Sequence, residues 1–293
     1  MMKLPFRWLT FLLLGAALLP PLIHGEDATS AHTINVAFWN IQWFPGNRPN
    51  AYQGEQRRQI RLVHGEMPKL NADVIGMEEI RDWDAAALAV RPLPEFKVDV
   101  CSNFPPREDQ TETQQVAIAS RFQPISAWAE SWKAGSAITP PRGFAFAAYE
   151  VAPRKLLLVY AVHLKSNRGE LVENVAIREE SILQLRSHMD AMQEAYGKLG
   201  QLTWVIGGDF NTAPDDPRFK DEKSTRQLTA NGFSWVWENM PLQQRVTMPP
   251  DARFPAACFD HMFLRGAKLK KAEVIPTPQT SSDHRAIRAE LEL

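Results

Sequence analysis

Five short apolar runs in this chain are bounded by residues able to bind a cation or move a proton. Val36-Ala-Phe-Trp39 leads into Asn40, and Val74-Ile-Gly-Met77 into Glu78-Glu79. Leu158-Val-Tyr-Ala-Val162 leads into His163, and Trp204-Val-Ile206 into Gly-Gly-Asp209-Phe-Asn211. The last run, Arg285–Leu291, is entered through Ser281-Ser282-Asp283-His284. Ligands of layered α/β proteins gather at strand ends, so these sets predict one cleft lined by carboxylates, amides and imidazoles. That inventory suits a hard divalent cation, which takes few protein carboxylates and keeps oxygen positions for water and phosphate. Hydrolysis of a phosphoester needs an oriented and deprotonated water, stabilised phosphoryl oxygens and a protonated leaving oxygen. Other chemistries lack their signatures. The chain has no His-Glu-x-x-His or paired cysteines for zinc, no Gly-x-Ser-x-Gly elbow and no Walker loop.

The elements that must position these residues are legible as periodic runs. Strands are expected at Thr33–Trp39, Asp73–Met77, Phe96–Cys101, Val116–Ser120, Phe144–Val151, Lys155–Val162, Thr203–Ile206, Phe259–Leu264 and Arg285–Leu291. The unbroken apolar stretch Leu156–Val162 reads as a strand covered on both faces. Helical spacing predicts Arg57–Met67, stopped near Pro68, and Leu171–Tyr196. Arg178 interrupts the apolar stripe of the second helix and needs an anionic partner, either a substrate phosphate or a structural carboxylate. Strands interleaved with helices predict an α/β or α+β layered sandwich.

Seven segments occur in the order Trp39-Asn-Ile-Gln-Trp-Phe44, Asp73-Val-Ile-Gly-Met-Glu-Glu79-Ile80, Val116-Ala-Ile-Ala-Ser120-Arg121, Val162-His-Leu-Lys-Ser166, Gly208-Asp-Phe-Asn211, Phe259-Asp-His-Met-Phe263 and Ser282-Asp-His284. This ordered set resembles the endonuclease/exonuclease/phosphatase superfamily, which includes deoxyribonucleases, abasic-site endonucleases, inositol polyphosphate phosphatases and neutral sphingomyelinases. The resemblance implies a four-layer sandwich, two mixed sheets face to face with helices outside. It implies Mg2+ as cofactor, with Mn2+ or Ca2+ as alternatives, held by Glu79 with Asp283 and Asn40 beside metal and phosphate. It further implies that Asp209 orients or deprotonates the attacking water, with Asn211 as its amide partner. Asp260 and His284 match an Asp–His pair, and His163 matches a position facing the leaving group. Which of these is formally acid or base stays open. Alternation points Glu78 away from Glu79 and His261 away from Asp260, so both are expected to be bystanders. Among the other histidines, His32, His64 and His188 receive no role.

Substrate contacts are expected at Asn40, Arg121, Lys165 and Arg178. Lys165-Ser-Asn-Arg168 follows His163 closely enough to meet flanking phosphates, or is a solvated loop ahead of the helix. Arg57, Arg58 and Arg61 read as a solvated face. Trp43, Trp235 and Trp237 could stack on bases or enter lipid.

Lys3 and Arg7, the apolar run Trp8–Leu19 and the small residue Gly25 predict an export signal over residues 1–25. The run is shorter than the ~18–20 apolar residues of a membrane span, so cleavage near Gly25 into the periplasm or medium is expected. Residues 26–293 then form a single domain with no transmembrane segment. Lys+Arg falls from 33 to 31 against 34 Asp+Glu, leaving −3, which excludes a globally basic nucleic-acid binder. A nucleic-acid substrate therefore needs a local basic patch or a bridging cation. Cys101 and Cys258 could pair in an oxidising compartment or remain buried thiols. The reading is a metal-dependent phosphodiester hydrolase, most directly an endonuclease of low sequence specificity, with no stable protein partner. The alternatives are a phosphodiesterase or phosphatase on lipid (sphingomyelin) or inositol phosphates, and a non-catalytic binding module.

Overall fold

Apolar runs with alternating inward and outward side chains build two sheets, and their order along the chain places the polar strand ends together. The computed structural model describes residues 32–106, 113–134, 138–252 and 254–293. The predicted export signal, residues 1–25, lies outside the described residues. In chain order the elements are β1 (Thr33–Phe44), α1 (Gln53–Glu66), β2 (Val74–Ile80), α2 (Trp83–Val90), β3 (Lys97–Cys101), β4 (Gln115–Ser120), β5 (Ser126–Ser131), β6 (Gly143–Ala152), β7 (Lys155–His163), α3 (Leu171–Tyr196), β8 (Gln201–Asp209), α4 (Ser224–Thr229), β9 (Ser234–Trp235), β10 (Asp260–Arg265), β11 (Lys268–Ile275) and β12 (Ala286–Glu292).

One six-stranded sheet runs β11-β12-β1-β2-β4-β3 and the other β5-β6-β7-β8-β10-β9. Each is mixed: β1 and β2 are parallel, as are β7 and β8, and the remaining neighbours are antiparallel. Val36, Phe38 and Val74 from one sheet meet Val159, Ala161 and Val205 from the other in a central core. The outer face of the second sheet packs Leu158 and Tyr160 against Ile182, Leu185 and Met189 of α3. The outer face of the first packs Ala37, Ile75 and Met77 against Val63 of α1 and Ala85, Ala86 and Ala89 of α2. The result is the four-layer sandwich that the resemblance implied, and these elements fall in one compact unit, Ala31–Leu293. No described helix is long and apolar enough to cross a membrane.

Three strands carried no strong sequence signal, and β5, β9 and β11 all lie at or beside a free sheet edge. Edge strands are wetter on one side, and β11 carries Lys268, Lys270 and Lys271, charges that guard against edge-to-edge pairing. The alanine-rich α2 was also unanticipated; Asp82 starts it by accepting the Ala85 amide at 2.8 Å. α1 starts at Gln53, earlier than the expected Arg57, because the Glu55 carboxylate accepts the Tyr52 amide at 3.1 Å. Cys101 and Cys258 are free thiols, Cys258 in the central core and Cys101 against the outer cluster of the first sheet, so the disulfide alternative falls.

The Phe38 ring fills the space over two glycines, one on each sheet. A Cβ on Gly76 would stand 2.2 Å from the ring, and one on Gly207 of the facing sheet 2.3 Å. The ring is fully enclosed and has nowhere to retreat. Gly207→Ala is therefore expected to overpack this layer and destabilise the fold by about 1–3 kcal/mol, read as a lower urea midpoint.

Candidate functional site

The central strands of both sheets end on the same side, and their last inward-facing residues are polar. His163 on β7 pairs in register with Asp209 on β8, and Asp209 pairs with Asp260 on β10, so three functional side chains stand in a row. Opposite them, Asn40 on β1 is in register with Glu78 on β2. Gly208 lets this row come close to Glu78. Its φ is +128°, and a Cβ there would lie 2.1 Å from the Val162 carbonyl and 2.7 Å from Glu78 Oε1.

Glu79 breaks the alternation. Its φ is +58°, and the β2 ladder shifts register between Glu78 and Ile80. The two adjacent glutamates consequently serve different spaces. The Glu79 carboxylate accepts Asn40 Nδ2 at 3.2 Å and the Trp43 amide at 3.0 Å. Burial, and next the charge of Asp283, hold its carboxyl above the ordinary range. Two repelling carboxylates of hard oxygen are a donor set that a divalent cation fits, so Glu79 and Asp283 are the candidate metal ligands. Asn40 stands between the Glu79 and Asp209 carboxylates. Its Nδ2 donates to Glu79 and, at 3.1 Å, to Asp209 Oδ2, while its Oδ1 accepts the Gln42 amide at 3.0 Å. In this arrangement its amide nitrogen orients both carboxylates, and its Oδ1, with one bond accepted, keeps a lone pair that a cation could use.

His284 Nδ1 lies 2.8 Å from Asp260 Oδ2, which fixes the imidazole with Nε2 toward Asp209 at 3.9 Å. Burial pushes the ring down, but the Asp260 and Asp209 carboxylates outweigh it and hold His284 protonated well above its ordinary range. The turn carrying it is fastened to β1: Ser282 Oγ donates to the Asn40 carbonyl at 2.7 Å, and Trp39 Nε1 donates to the His284 carbonyl at 3.1 Å. Asp209 is pushed up to about 7, first by burial and then by the Asp260 charge against the opposing pull of His284. Its Oδ1 accepts the Asn211 amide at 2.8 Å, which leaves Oδ2 facing Asn40 and both histidines. Asn211 itself sits at φ +53° and donates Nδ2 to the Leu164 carbonyl at 3.1 Å. His163 Nε2 stands 3.6 Å from Asp209 and 3.9 Å from Glu79. Burial, then Arg142, holds it neutral. Donor atoms of Asp209, Asp260 and His284 lie within 4.8 Å of one another and form a second group able to hold a metal.

Other expected substrate contacts are placed differently. Arg121 is at the far end of β2: its amide meets the Asp73 carbonyl and its Nε lies 2.8 Å from Asp73 Oδ1. Six residue steps along the strand, about 20 Å, separate Asp73 from Glu79, so Arg121 stands away from this site. Arg178 is fully buried, and its guanidinium chelates Glu222 at 2.7 and 2.8 Å, the structural-carboxylate alternative. Lys165 lies beside the site but turns its ammonium back on its own loop, onto the Ser166 and Arg168 carbonyls. Trp237 is buried with Nε1 on the Asp260 carbonyl, and Arg245 covers the Trp235 ring. Of the three candidate tryptophans Trp43 alone borders the site, in a small cleft shared with Glu79, Arg48, Arg81 and Thr113. His261, as expected, faces away from the site; Trp235 donates to its Nδ1 and its Nε2 reaches the Thr212 carbonyl.

Glu78 is the residue that sequence reasoning undervalued. Alternation does turn it away from Glu79, but into the space between the sheets. There it is fully buried and neither carboxyl oxygen has a hydrogen-bond partner among the described residues. Burial first, then Asp260 and Asp209, push its carboxyl well above 4.5, so the neutral acid is the favoured form. A carboxyl raised in the folded state withdraws stability as pH climbs past its unfolded value. In metal-free buffer with chelator, Glu78→Gln is thus expected to match the parent urea midpoint at pH 4 and exceed it at pH 8.

The chain matches the model of the Endonuclease/Exonuclease/phosphatase family over residues 37–284. No curated protein sequence matches it. Among solved structures it resembles an endonuclease/exonuclease/phosphatase from Beutenbergia cavernae, with TM-score 0.66 and 15% identity over 89% of this chain and 72% of the other. D. rerio TDP2 in complex with a single-strand DNA product gives TM-score 0.61 and 14% identity over 89% of this chain and 99% of the other. Beta toxin from Staphylococcus aureus gives TM-score 0.64 and 17% identity over 87% and 99%. With the family match spanning most of the chain and the fold shared by these structures, this protein belongs to the endonuclease/exonuclease/phosphatase family, whose members are hydrolases of phosphoester bonds.

Proposed function

We propose that this chain is an exported, Mg2+-dependent phosphodiester hydrolase, most directly an endonuclease of low sequence specificity. The observation that carries the reading is the facing of Asp209 and the Asp260–His284 pair across the sheet gap from Glu79, with Asn40 hydrogen-bonded to both sides. Glu79 and Asp283 would hold the cation, which supplies Lewis-acid polarisation of a phosphoryl oxygen. Asp209, lifted to about 7 and steered by the Asn211 amide, is matched to take a proton from an attacking water near neutral pH. His284, kept cationic by Asp260, stabilises charge on the phosphoryl oxygens. His163, buried and neutral, faces the same space and completes the set around a departing oxygen.

Nucleic acid as substrate is supported by the cleft beside Glu79, which Trp43, Arg48 and Arg81 line; Arg48 is paired with Glu55 and Arg81 with Asp82, so a phosphate here would share each guanidinium with a carboxylate. An aromatic face with cationic rims suits a base and its flanking phosphates. The DNA product bound by the structurally similar TDP2 agrees with this choice. Export rests on the signal-like residues 1–25, with cleavage near Gly25.

The test is incubation of residues 26–293 with supercoiled plasmid, in Mg2+ and in excess chelator, beside Glu79→Ala and His284→Ala. Nicking that requires Mg2+ and falls by about 10²-fold or more in each variant is expected. Wild-type-like nicking by both variants would overturn the assignment of the site. An intact plasmid, with a lipid or inositol phosphoester cleaved instead, would keep the hydrolase and replace the substrate.

A further inference from the structure

The buried Arg178–Glu222 pair is spent on no substrate, yet its hydrogen bonds lead to the catalytic row. Nε and Nη2 of Arg178 grip the two Glu222 oxygens, and its ring-facing side lies 5.6 Å from the Phe219 centroid. Glu222 takes a further bond from Ser224 Oγ at 2.5 Å. The remaining Arg178 nitrogen, Nη1, donates to the Lys165 carbonyl at 3.0 Å and to Asn167 Oδ1 at 2.9 Å. With its oxygen claimed by a cation, the Asn167 amide has one orientation left. Its Nδ2 donates to the Asn211 carbonyl at 2.8 Å. Asn211 holds a left-handed backbone, and its amide is the group that steers Asp209 Oδ1. A chain of direct hydrogen bonds thus runs from α3 through Asn167 to Asn211 and Asp209.

From this geometry we infer that Arg178 and Asn167 are positioning residues that hold Asn211, and through it Asp209, in register with the attacking water. The inference rests on the reading of Asp209 as the group that orients or deprotonates that water. A buried guanidinium on a 26-residue helix is a firm second anchor for a loop whose Asn211 side chain is otherwise held by the Leu164 carbonyl. Fixed geometry of this kind sets turnover: displacement of a catalytic group by about 1 Å costs on the order of 10²-fold. Affinity for substrate depends on other groups and is left unchanged.

The decisive variant is Asn167→Asp. It keeps an acceptor for Arg178, and so the buried pair, but removes the donor to the Asn211 carbonyl. Its partner is Arg178→Met combined with Glu222→Leu, which removes both charges together and avoids stranding one of them in the interior. Nicking kinetics on supercoiled plasmid in Mg2+ are measured beside Asp209→Ala, with urea midpoints for every protein. Both designs are expected to lower kcat about tenfold to a hundredfold with KM within about twofold, at urea midpoints that retain a folded protein. Retention of parental kcat by folded Asn167→Asp would overturn the inference while leaving the hydrolase reading intact. A loss confined to KM would also overturn it, by making Asn167 a substrate contact. Parental nicking by Asp209→Ala would overturn the underlying reading and the inference with it.

Discussion

The two sheets meet chemically on one amide. Asn40 is a neutral side chain among buried carboxylates, and its Nδ2 is shared by Glu79 from its own sheet and Asp209 from the other. Its main-chain carbonyl accepts Ser282 Oγ and so holds the Asp283-His284 turn against β1. A hydrophobic residue here would remove the donor that Glu79 and Asp209 share across the gap, leaving Glu79 with the Trp43 amide and Asp209 with the Asn211 amide. The apolar core brings the sheets together, but this amide sets how their polar ends face each other.

Negative charge is the dominant electrical fact of the site. Glu78, Glu79, Asp209 and Asp260 crowd into a water-poor gap, and burial raises the carboxyls of Glu78, Glu79 and Asp209. The structure answers this with a cationic His284, an acid at Glu78 favoured in its neutral form, and a carboxylate pair left for a divalent ion. Backbone strain gathers in the same place. Gln42, Trp43, Glu79 and Asn211 all lie at positive φ without being glycine. Such conformations persist where surrounding structure over-determines them, and here they aim side chains that a regular strand would direct elsewhere.

Much of the fold was legible because the central strands are covered on both faces and read as continuous apolar runs, Leu156–Val162 above all. The strands near the edges were not, since half of each faces water and its pattern merges with that of a loop. At the site, residue types at strand ends identified His163, Asp209, Asp260 and His284, which the structure gathers together. Glu78 was misjudged because alternation tells which way a side chain leaves a strand but not what waits on that side. Arg121 was misplaced because proximity to a strand end does not reveal which end of the sheet it is. Arg178 was seen to need an anion, but Glu222, 44 residues later, lies in a segment with no periodic signal to mark it. In each case the missing information was long-range packing.

The fully buried Gln59 of α1 ties several of these pieces together. Its Oε1 accepts the Gly46 and Asn47 amides, and its Nε2 donates to the carbonyls of Ile41, Gln42 and Ser281. The backbone that follows Asn40 and the turn that precedes Asp283 are thus bonded to one side chain on an outer helix. These segments are distant in sequence, yet none can peel away without breaking the others' bonds. They form one cooperative unit, whose amide protons should exchange with solvent together in a single opening event. The candidate metal-binding corner is consequently as durable as the helix that backs it, although it joins an irregular strand end to a turn.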